Sequence, residues 1–329
     1  MRRREFIAGV GGAVAAWPLV ARAQQSDAMR RIAVLHGLAE SDRQAQSWFT
    51  LFRKTMQELG WDEQRNISIE YRWTAADPEL ARKFAADLVN LAPDVLFATN
   101  TVTLEALRRA TSTIPIVFVQ VSDPAGNGFV RSLARPGGNV TGFAHFDYEI
   151  GGKWLEVLRD AAPGLSHAGA IYGVENPASP KYLAAAQAAA GTLGVILTPK
   201  GMRDGADIER VIGEIAGVGN SGLIVQPSPL TIRQRKQIVA LAEKHHLPAV
   251  YPFRFFAADG GLVSYGVHTA QQYREAATYI DRILRGERAG ELPVQAPSKF
   301  ELVVNLKTAK ALGLTIPPLL LARADEVIE

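Results

Sequence analysis

The chain has 329 residues, 47% of them hydrophobic and 21% charged, with no cysteine and six histidines. That length suggests two cores rather than one, the apolar fraction excludes a disordered chain, and the lack of cysteine excludes a disulfide framework and any thiolate nucleophile or metal site. The formal charge of +3 resides in residues 1–23, where Arg2, Arg3, Arg4 and Arg22 stand against Glu5; the remaining 306 residues carry 32 basic and 32 acidic side chains, so no basic footprint for nucleic acid is present.

In chain order, the first 23 residues read as an export signal. Arg2–Arg4 form a charged head, Phe6–Ala21 is an uncharged and mostly apolar run of 16 residues, and Ala21-Arg22-Ala23 is a small-x-small cleavage site with Gln24 as the mature start. The run is shorter than the ~20 residues a helix needs to cross a bilayer. Arg3-Arg4-Glu5-Phe6-Ile7 resembles the twin-arginine signal, whose cargo crosses already folded. No cysteine follows the cleavage site to carry a lipid, and no later segment reads as membrane-spanning.

Strands and helices then alternate. Ile32–Leu35 reads as a buried parallel strand and Ser47–Leu59 as an amphipathic helix stopped by Gly60. Ile67–Tyr71 alternates like a strand near an edge. Asp77 caps a helix over Pro78–Leu91, with proline in its first turn. Strands follow at Val95–Ala98, Ile116–Val119 and Asn139–Phe143, with a helix over Thr101–Ala110 between the first two. The pattern then restarts. Helices are expected over Lys153–Ala161, Ser179–Gly191, Asp204–Ala216 and Ile232–His245, and strands over Ala168–Tyr172, Val195–Leu197, Gly222–Val225, Ala249–Tyr251 and Leu262–Tyr265. A short helical piece is expected at Arg254–Ala258 and an amphipathic helix over Thr269–Leu284. A final strand and helix fall at Phe300–Val304 and Lys307–Leu312, before a short Leu319–Ile328 segment. Spacings of this length are those of βαβ crossovers, so the fold class is α/β with parallel sheets in two lobes.

No catalytic signature dominates. The turn after the first strand is Gly37-Leu38-Ala39-Glu40, not a dinucleotide fingerprint, and neither a Walker loop nor a G-x-S-x-G elbow occurs. His245 and His246 are adjacent and point apart on a helix, which makes a shared metal unfavourable. His36, His145 and His268 fall at strand ends or linkers from which a cleft is within reach. No cofactor and no metal are expected.

The strand exits carry the polar groups instead. Ser41-Asp42, Thr99-Asn100-Thr101, Asp123-Pro124, Asn176-Pro177, Pro227-Ser228 and Phe253-Arg254 each follow a predicted strand. Ligands of open α/β sheets sit beyond the carboxyl ends of strands, and helix starts there offer N–H groups to an anion. Thr99–Thr101 and the helix start after Ser41 suit a carboxylate or carbonyl, Asp123 an ammonium or amide, and Tyr251, Phe253 or Tyr265 an apolar ring. The same residues also suit bland roles: Ser41, Asp42 and Thr101 as helix caps, Asp123-Pro124 as a turn, the aromatics as core.

Ile116-Val117-Phe118 through Ser122-Asp123-Pro124, SLARPGGNVTGF at 132–143, GGLVSYG at 260–266 and the whole run 300–329 resemble exported ABC-transporter substrate-binding proteins of the tryptophan/tyrosine-binding type. The resemblance covers nearly all of residues 30–329. It implies a type I periplasmic-binding-protein fold with three interlobe crossings: residues 30–144 and 266–292 in lobe 1, residues 145–265 and 293–329 in lobe 2, and a ligand cleft between them. It further implies a monomeric periplasmic protein that binds a small organic ligand, of amino-acid, aromatic or amide-like class, and hands it to an ABC permease with its cytoplasmic ATPase. Ser41, Asn100, Thr101, Asp123, Asn176, Pro227 and Tyr265 carry over onto that cleft by position. A periplasmic hydrolase or transferase using Asp123 and a cleft histidine is the alternative, and a ligand-binding sensor module a third reading.

If the first 23 residues are a twin-arginine signal, replacing Arg3 and Arg4 by lysine abolishes periplasmic accumulation of the precursor. Intact-mass measurement of the exported wild type then returns a chain beginning at Gln24.

Overall fold

The computed structural model describes residues 29–297 and 300–329; the expected export segment lies outside the described residues. The first sheet contains β1 (Arg30–His36), β2 (Ile67–Trp73), β3 (Val95–Ala98), β4 (Ile116–Val121) and β5 (Val140–Ala144), all parallel in the order β2-β1-β3-β4-β5. Three helices connect its first four strands: α1 (Arg43–Glu58), α2 (Pro78–Asn90) and α3 (Thr101–Ala110).

Side-chain alternation along these strands decides what covers each face. Ala33 and Leu35 of β1, Leu96 of β3 and Phe118 of β4 join Ala81, Ala85 and Leu88 of α2 and Leu104 and Leu107 of α3 in one buried cluster. Ile32 and Val34, Phe97, and Val117 and Val119 turn the other way, onto Trp48, Phe49 and Phe52 of α1. The strands are apolar on both faces because a parallel sheet is covered on both. On this second face the cover is completed by a distant segment, α10 (Thr269–Leu284), whose Tyr273, Ala276, Ala277 and Ile280 are buried against α1, β3 and β4.

The second sheet has the order β12-β11-β10-β9-β8-β6-β7. Its strands are β6 (His167–Gly173), β7 (Ile196–Met202), β8 (Ser221–Val225), β9 (Ala249–Tyr251), β10 (Val263–Val267), β11 (Phe300–Asn305) and β12 (Glu326–Ile328). Between them lie α4 (Ile150–Ala161), α5 (Ser179–Leu193), α6 (Gly205–Ala216), α7 (Pro229–Arg233), α8 (Arg235–Lys244) and α9 (Arg254–Ala258). The chain closes with α11 (Leu306–Ala311) and α12 (Pro318–Arg323). β7 to β10 are parallel, whereas β11 runs antiparallel to β10 and carries β12 alongside. β11 enters from the other lobe rather than through a local crossover, so its direction was not set by the βαβ spacing.

The chain passes between the sheets after β5, after β10 and before β11. Between the last two passages, Pro293–Gln295 still lies along the first sheet: Ala144 N–H donates to Gln295 O (2.8 Å) and Gln295 N–H to Gly142 O (3.0 Å). Gly266 and Val267 pair with Glu301 and Phe300 and so belong to the second sheet.

Most predicted elements are present, with displaced ends. α1 begins at Arg43 because Asp42 caps it, its Oδ1 accepting from Gln44 N–H (2.9 Å) and Ala45 N–H (3.0 Å). The single helix expected over Ile232–His245 is two helices. Ser228-Pro229 starts α7 earlier, and Gln234 leaves helical geometry (φ −94°, ψ 14°) before α8 begins. β7 tolerates Pro199 because it is an edge strand. β12 is a three-residue strand, too short for period to reveal.

Gly142 pairs with Phe118 at φ +153°, and a Cβ there would stand 2.1 Å from Phe118 O. Gly142→Ala is therefore expected to destabilise by about 2 kcal/mol or more, read as a lowered urea midpoint at unchanged slope.

Candidate ligand-binding cleft

The carboxyl ends of both sheets open into one cavity of about 540 Å³ of empty space, its mouth included. On the first lobe it is lined by His36–Leu38 after β1, Thr99–Val102 after β3, and Gln120 and Ser122 at the end of β4. On the second lobe the lining is Asn176 after β6, Tyr182 of α5, Pro227–Pro229 after β8, Ile232 of α7 and Phe253 after β9. His145, at the first passage between the sheets, completes the lining.

The two rims are built alike. Asn100 caps α3 by accepting from Thr103 N–H (2.9 Å), while Thr103 Oγ1 accepts from Thr99 N–H (3.0 Å) and Asn100 N–H (3.1 Å). Across the cleft, Ser228 caps α7 by accepting from Thr231 N–H (3.1 Å), and Thr231 Oγ1 accepts from Ser228 N–H (3.0 Å). Reciprocal capping of this kind stiffens both turns. Gly37 is held by donation from its N–H to Thr99 Oγ1 (3.1 Å), and a Cβ on Gly37 would fall 1.8 Å from Asn100 Nδ2. Asn176 spans the second rim, donating through Nδ2 to Pro227 O (2.6 Å) and accepting from Ala178 N–H (3.0 Å).

Both lining histidines are neutral. His36 accepts from Leu38 N–H at Nδ1 (2.9 Å), which places its proton on Nε2, facing Tyr273 Oη at 3.1 Å. Burial pulls its pKa down to about 3, against the opposing pull of Asp42. Burial likewise lowers His145 to about 3. The His145 ring stacks on Phe253 (centroids 5.3 Å, 13° between planes), and its Nε2 has no partner among the described residues. Gln120 adopts a left-handed backbone (φ +56°), and its buried Nε2 is also without a partner. Non-glycine strain of this kind concentrates at ligand sites.

The lobes touch on both sides of the cavity. On one side Arg235 Nη1 pairs with Asp42 Oδ2 at 2.8 Å, each side chain 12% exposed, and Arg233 Nη1 donates to Ala75 O (2.5 Å). On the other, Ser122 Oγ bonds Tyr182 Oη, and Lys181 Nζ donates to Asn127 Oδ1 (3.3 Å).

Of the residues singled out from sequence, Thr99, Asn100, Thr101, Asn176, Pro227 and Phe253 line this cavity. Ser41, Asp123, Tyr251 and Tyr265 do not. Ser41 is exposed in the turn before α1, where its neighbour Asp42 is the cap. Asp123 folds back on its own turn, Oδ1 accepting from Gly126 N–H (2.8 Å) and Oδ2 lying 3.8 Å from Lys181 Nζ. Tyr251 is buried and stacks on Phe256 at 5.0 Å, and Tyr265 stacks on Phe300 at 5.6 Å. His36 and His145 reach the cavity, whereas His268 caps α10, accepting from Gln271 N–H. Gln120, Ser122 and Tyr182 went unread. Gln120 had one sequence signal, a long polar side chain closing the apolar run Ile116–Val119.

A sequence profile of the ABC transporter substrate binding protein family matches residues 42–328. The chain belongs to this family. A tyrosine-binding protein of Clostridioides difficile is 25% identical over 269 residues, 80% of this chain and 75% of that one. A conserved domain protein of Vibrio cholerae is 26% identical, with a TM-score of 0.84 over 91% of this chain and 99% of that one. A Streptococcus pneumonia ABC domain in complex with L-Trp reaches the same TM-score at 21% identity, over 92% of this chain and all of the other. The fold is thus the type I periplasmic-binding-protein fold. Family membership makes the chain the extracytoplasmic solute-binding component of an ABC importer, taking a small organic ligand; the family is generally one of binding proteins rather than catalysts. Among the described residues no group of three His, Asp or Glu side chains is placed to hold a metal, and no helix is long and apolar enough to cross a membrane.

Because both cavity histidines are neutral when folded and titrate near 6.5 when unfolded, their contribution to stability is complete above pH 6.5. It falls as pH drops toward about 3, by at most about 1.4 kcal/mol per pH unit for each. Urea unfolding at pH 7 and pH 5 should show this loss, and His145→Gln should shrink it.

Proposed function

We propose that this substrate-binding protein captures an amino acid, or another aromatic or amide-like compound, in the cleft and passes it unchanged to its permease. The observation that carries the reading is the cavity itself, lined by a polar rim on each lobe together with the stacked Phe253–His145 pair. Phe253 and His145 supply the aromatic part of the lining, against which a ring or planar amide would pack. Thr99–Thr101, at the start of α3, face a carboxylate or carbonyl with the positive end of a helix. Asn176 and Pro227 approach from the opposite rim. The tyrosine-binding relative and the L-Trp complex support an aromatic ligand class. Charge-assisted bonds and ring stacking contribute about 1–3 kcal/mol each, so a few of them reach the roughly −8 kcal/mol of micromolar binding.

Ligand bridging the two rims adds contacts only the closed form makes, which shifts the population toward closure. The closed face is then what the permease, with its cytoplasmic ATPase, recognises. The reading includes export through the twin-arginine route, a periplasmic location and a monomeric mature chain.

Calorimetry of the mature protein against a panel of amino acids, aromatic acids and amides, with native mass spectrometry for retained solute, tests the reading. Phe253→Ala should weaken a ring-bearing ligand about tenfold, and ligand recovered after release should be chemically unchanged. A converted product would favour the hydrolase or transferase reading; a folded protein that binds no member of the panel and retains no solute would end this one.

A further inference from the structure

We propose that Arg233 and Arg235, at the break between α7 and α8, form a clasp that holds the two lobes together and sets how fast solute leaves the cleft. The clasp consists of protein contacts alone, so it does not depend on which solute the cleft takes.

The break is what gives the clasp two prongs. In an unbroken helix, residues two positions apart point about 200° from each other, toward opposite faces. Gln234 leaves helical geometry (φ −94°, ψ 14°), so Arg233 ends α7 and Arg235 begins α8. Both then reach the first lobe. Arg233 Nη1 donates to Ala75 O (2.5 Å), and Arg235 Nη1 pairs with Asp42 Oδ2 (2.8 Å). Arg235 is also held from its own lobe: Nε bonds Asp259 Oδ2 (3.0 Å), and the guanidinium lies over the Phe255 ring. A fork anchored in this way loses less side-chain freedom when it bonds a carboxylate.

The receiving points are as fixed as the prongs. Asp42 divides its carboxylate, Oδ1 capping α1 and Oδ2 taking Arg235. Ala75 and Ala76 are successive non-glycine residues in left-handed backbone (φ +50° and +69°). Their N–H groups donate to Leu38 O (3.3 Å) and Gly37 O (2.8 Å). Gly37 and Leu38 line the cavity, and so does Ile232, whose carbonyl accepts from Arg235 Nη1 at 3.2 Å. The clasp thus joins the cavity wall of one lobe to that of the other. Parting the lobes to release solute breaks both prongs.

Small-angle X-ray scattering of the mature protein without added solute tests the clasp. Asp42→Asn removes the charge while asparagine keeps the cap, and Arg235→Gln removes the other partner. Each variant is expected to have a larger radius of gyration than the wild type, with unchanged helix content by circular dichroism. Combining the two should give no further rise, because both remove one interaction, whereas adding Arg233→Gln should raise it again. Release of L-tyrosine or L-tryptophan, followed by stopped-flow fluorescence, should be about fivefold faster or more from Arg235→Gln than from the wild type. Folded Asp42→Asn and Arg235→Gln variants with the wild-type radius, additive rises from these two, no effect of Arg233→Gln, or unchanged release from a variant that binds each overturn the clasp and leave the solute-binding reading intact. If neither amino acid binds, the amino-acid reading fails, and the scattering result alone upholds or overturns the clasp.

Discussion

A parallel sheet must be covered on both faces, and the first sheet of this protein cannot cover itself from its own stretch of chain. α2 and α3 close one face through Ala81, Leu88 and Leu107, while α1 alone leaves the other short. The missing cover is α10, delivered from beyond β10 of the second sheet, with Tyr273 and Ile280 buried against α1 and β4. The chain must therefore cross between lobes more than once. Those crossings bind the two sheets with their carboxyl ends facing, and the space between the facing ends is the cleft.

Inside the cleft, rigidity and polarity come from the same residues. The caps that begin α3 and α7 use an Asn or Ser with a Thr three positions on, so side chain and backbone satisfy each other and hold both turns in place. Neutral histidines fit this arrangement because burial penalises their charged form, and their rings pack against aromatic neighbours, His145 on Phe146 and Phe253 and His36 on Phe49 and Trp73. The Phe253–His145 stack and the left-handed Gln120 backbone mark where the protein holds geometry that an ordinary core would not require.

The two lobes are joined to this site by continuous contacts. Asp42 serves at once as the cap of α1 and as partner of Arg235 from the opposite lobe. Arg235 lies over the Phe255 ring, Phe255 meets Trp48, and Trp48 stacks on Tyr273 at 5.3 Å. Tyr273 in turn bonds His36 in the cavity wall. An ion pair of this kind is weak evidence for stability by itself; it joins the two lobes beside the cleft.

Hydrophobic period and punctuation were enough to determine the α/β class, nearly every element and the polar character of the strand exits. Asp77-Pro78 and the alternation of Ile67–Tyr71 encode their structures locally. Local signals also placed Thr99–Thr101, Asn176, Pro227 and Phe253 on the cavity side, since a residue just past a parallel strand has few other places to go. Ser41, Asp123, Tyr251 and Tyr265 lie outside that lining, because Ser41 stays in the exposed turn before α1 and the other three meet competing partners, Gly126 N–H, Phe256 and Phe300. The split of α7 from α8, the antiparallel entry of β11 and the three-residue β12 depend on neighbours distant in sequence. Only the tertiary structure brought Tyr182, from the second lobe, beside Ser122 of the first, and left Gln120 and His145 with buried nitrogens that have no partner among the described residues. Periodicity records which residues are buried; it carries no information about which buried polar atoms find a partner, and that decides the chemistry of this cleft.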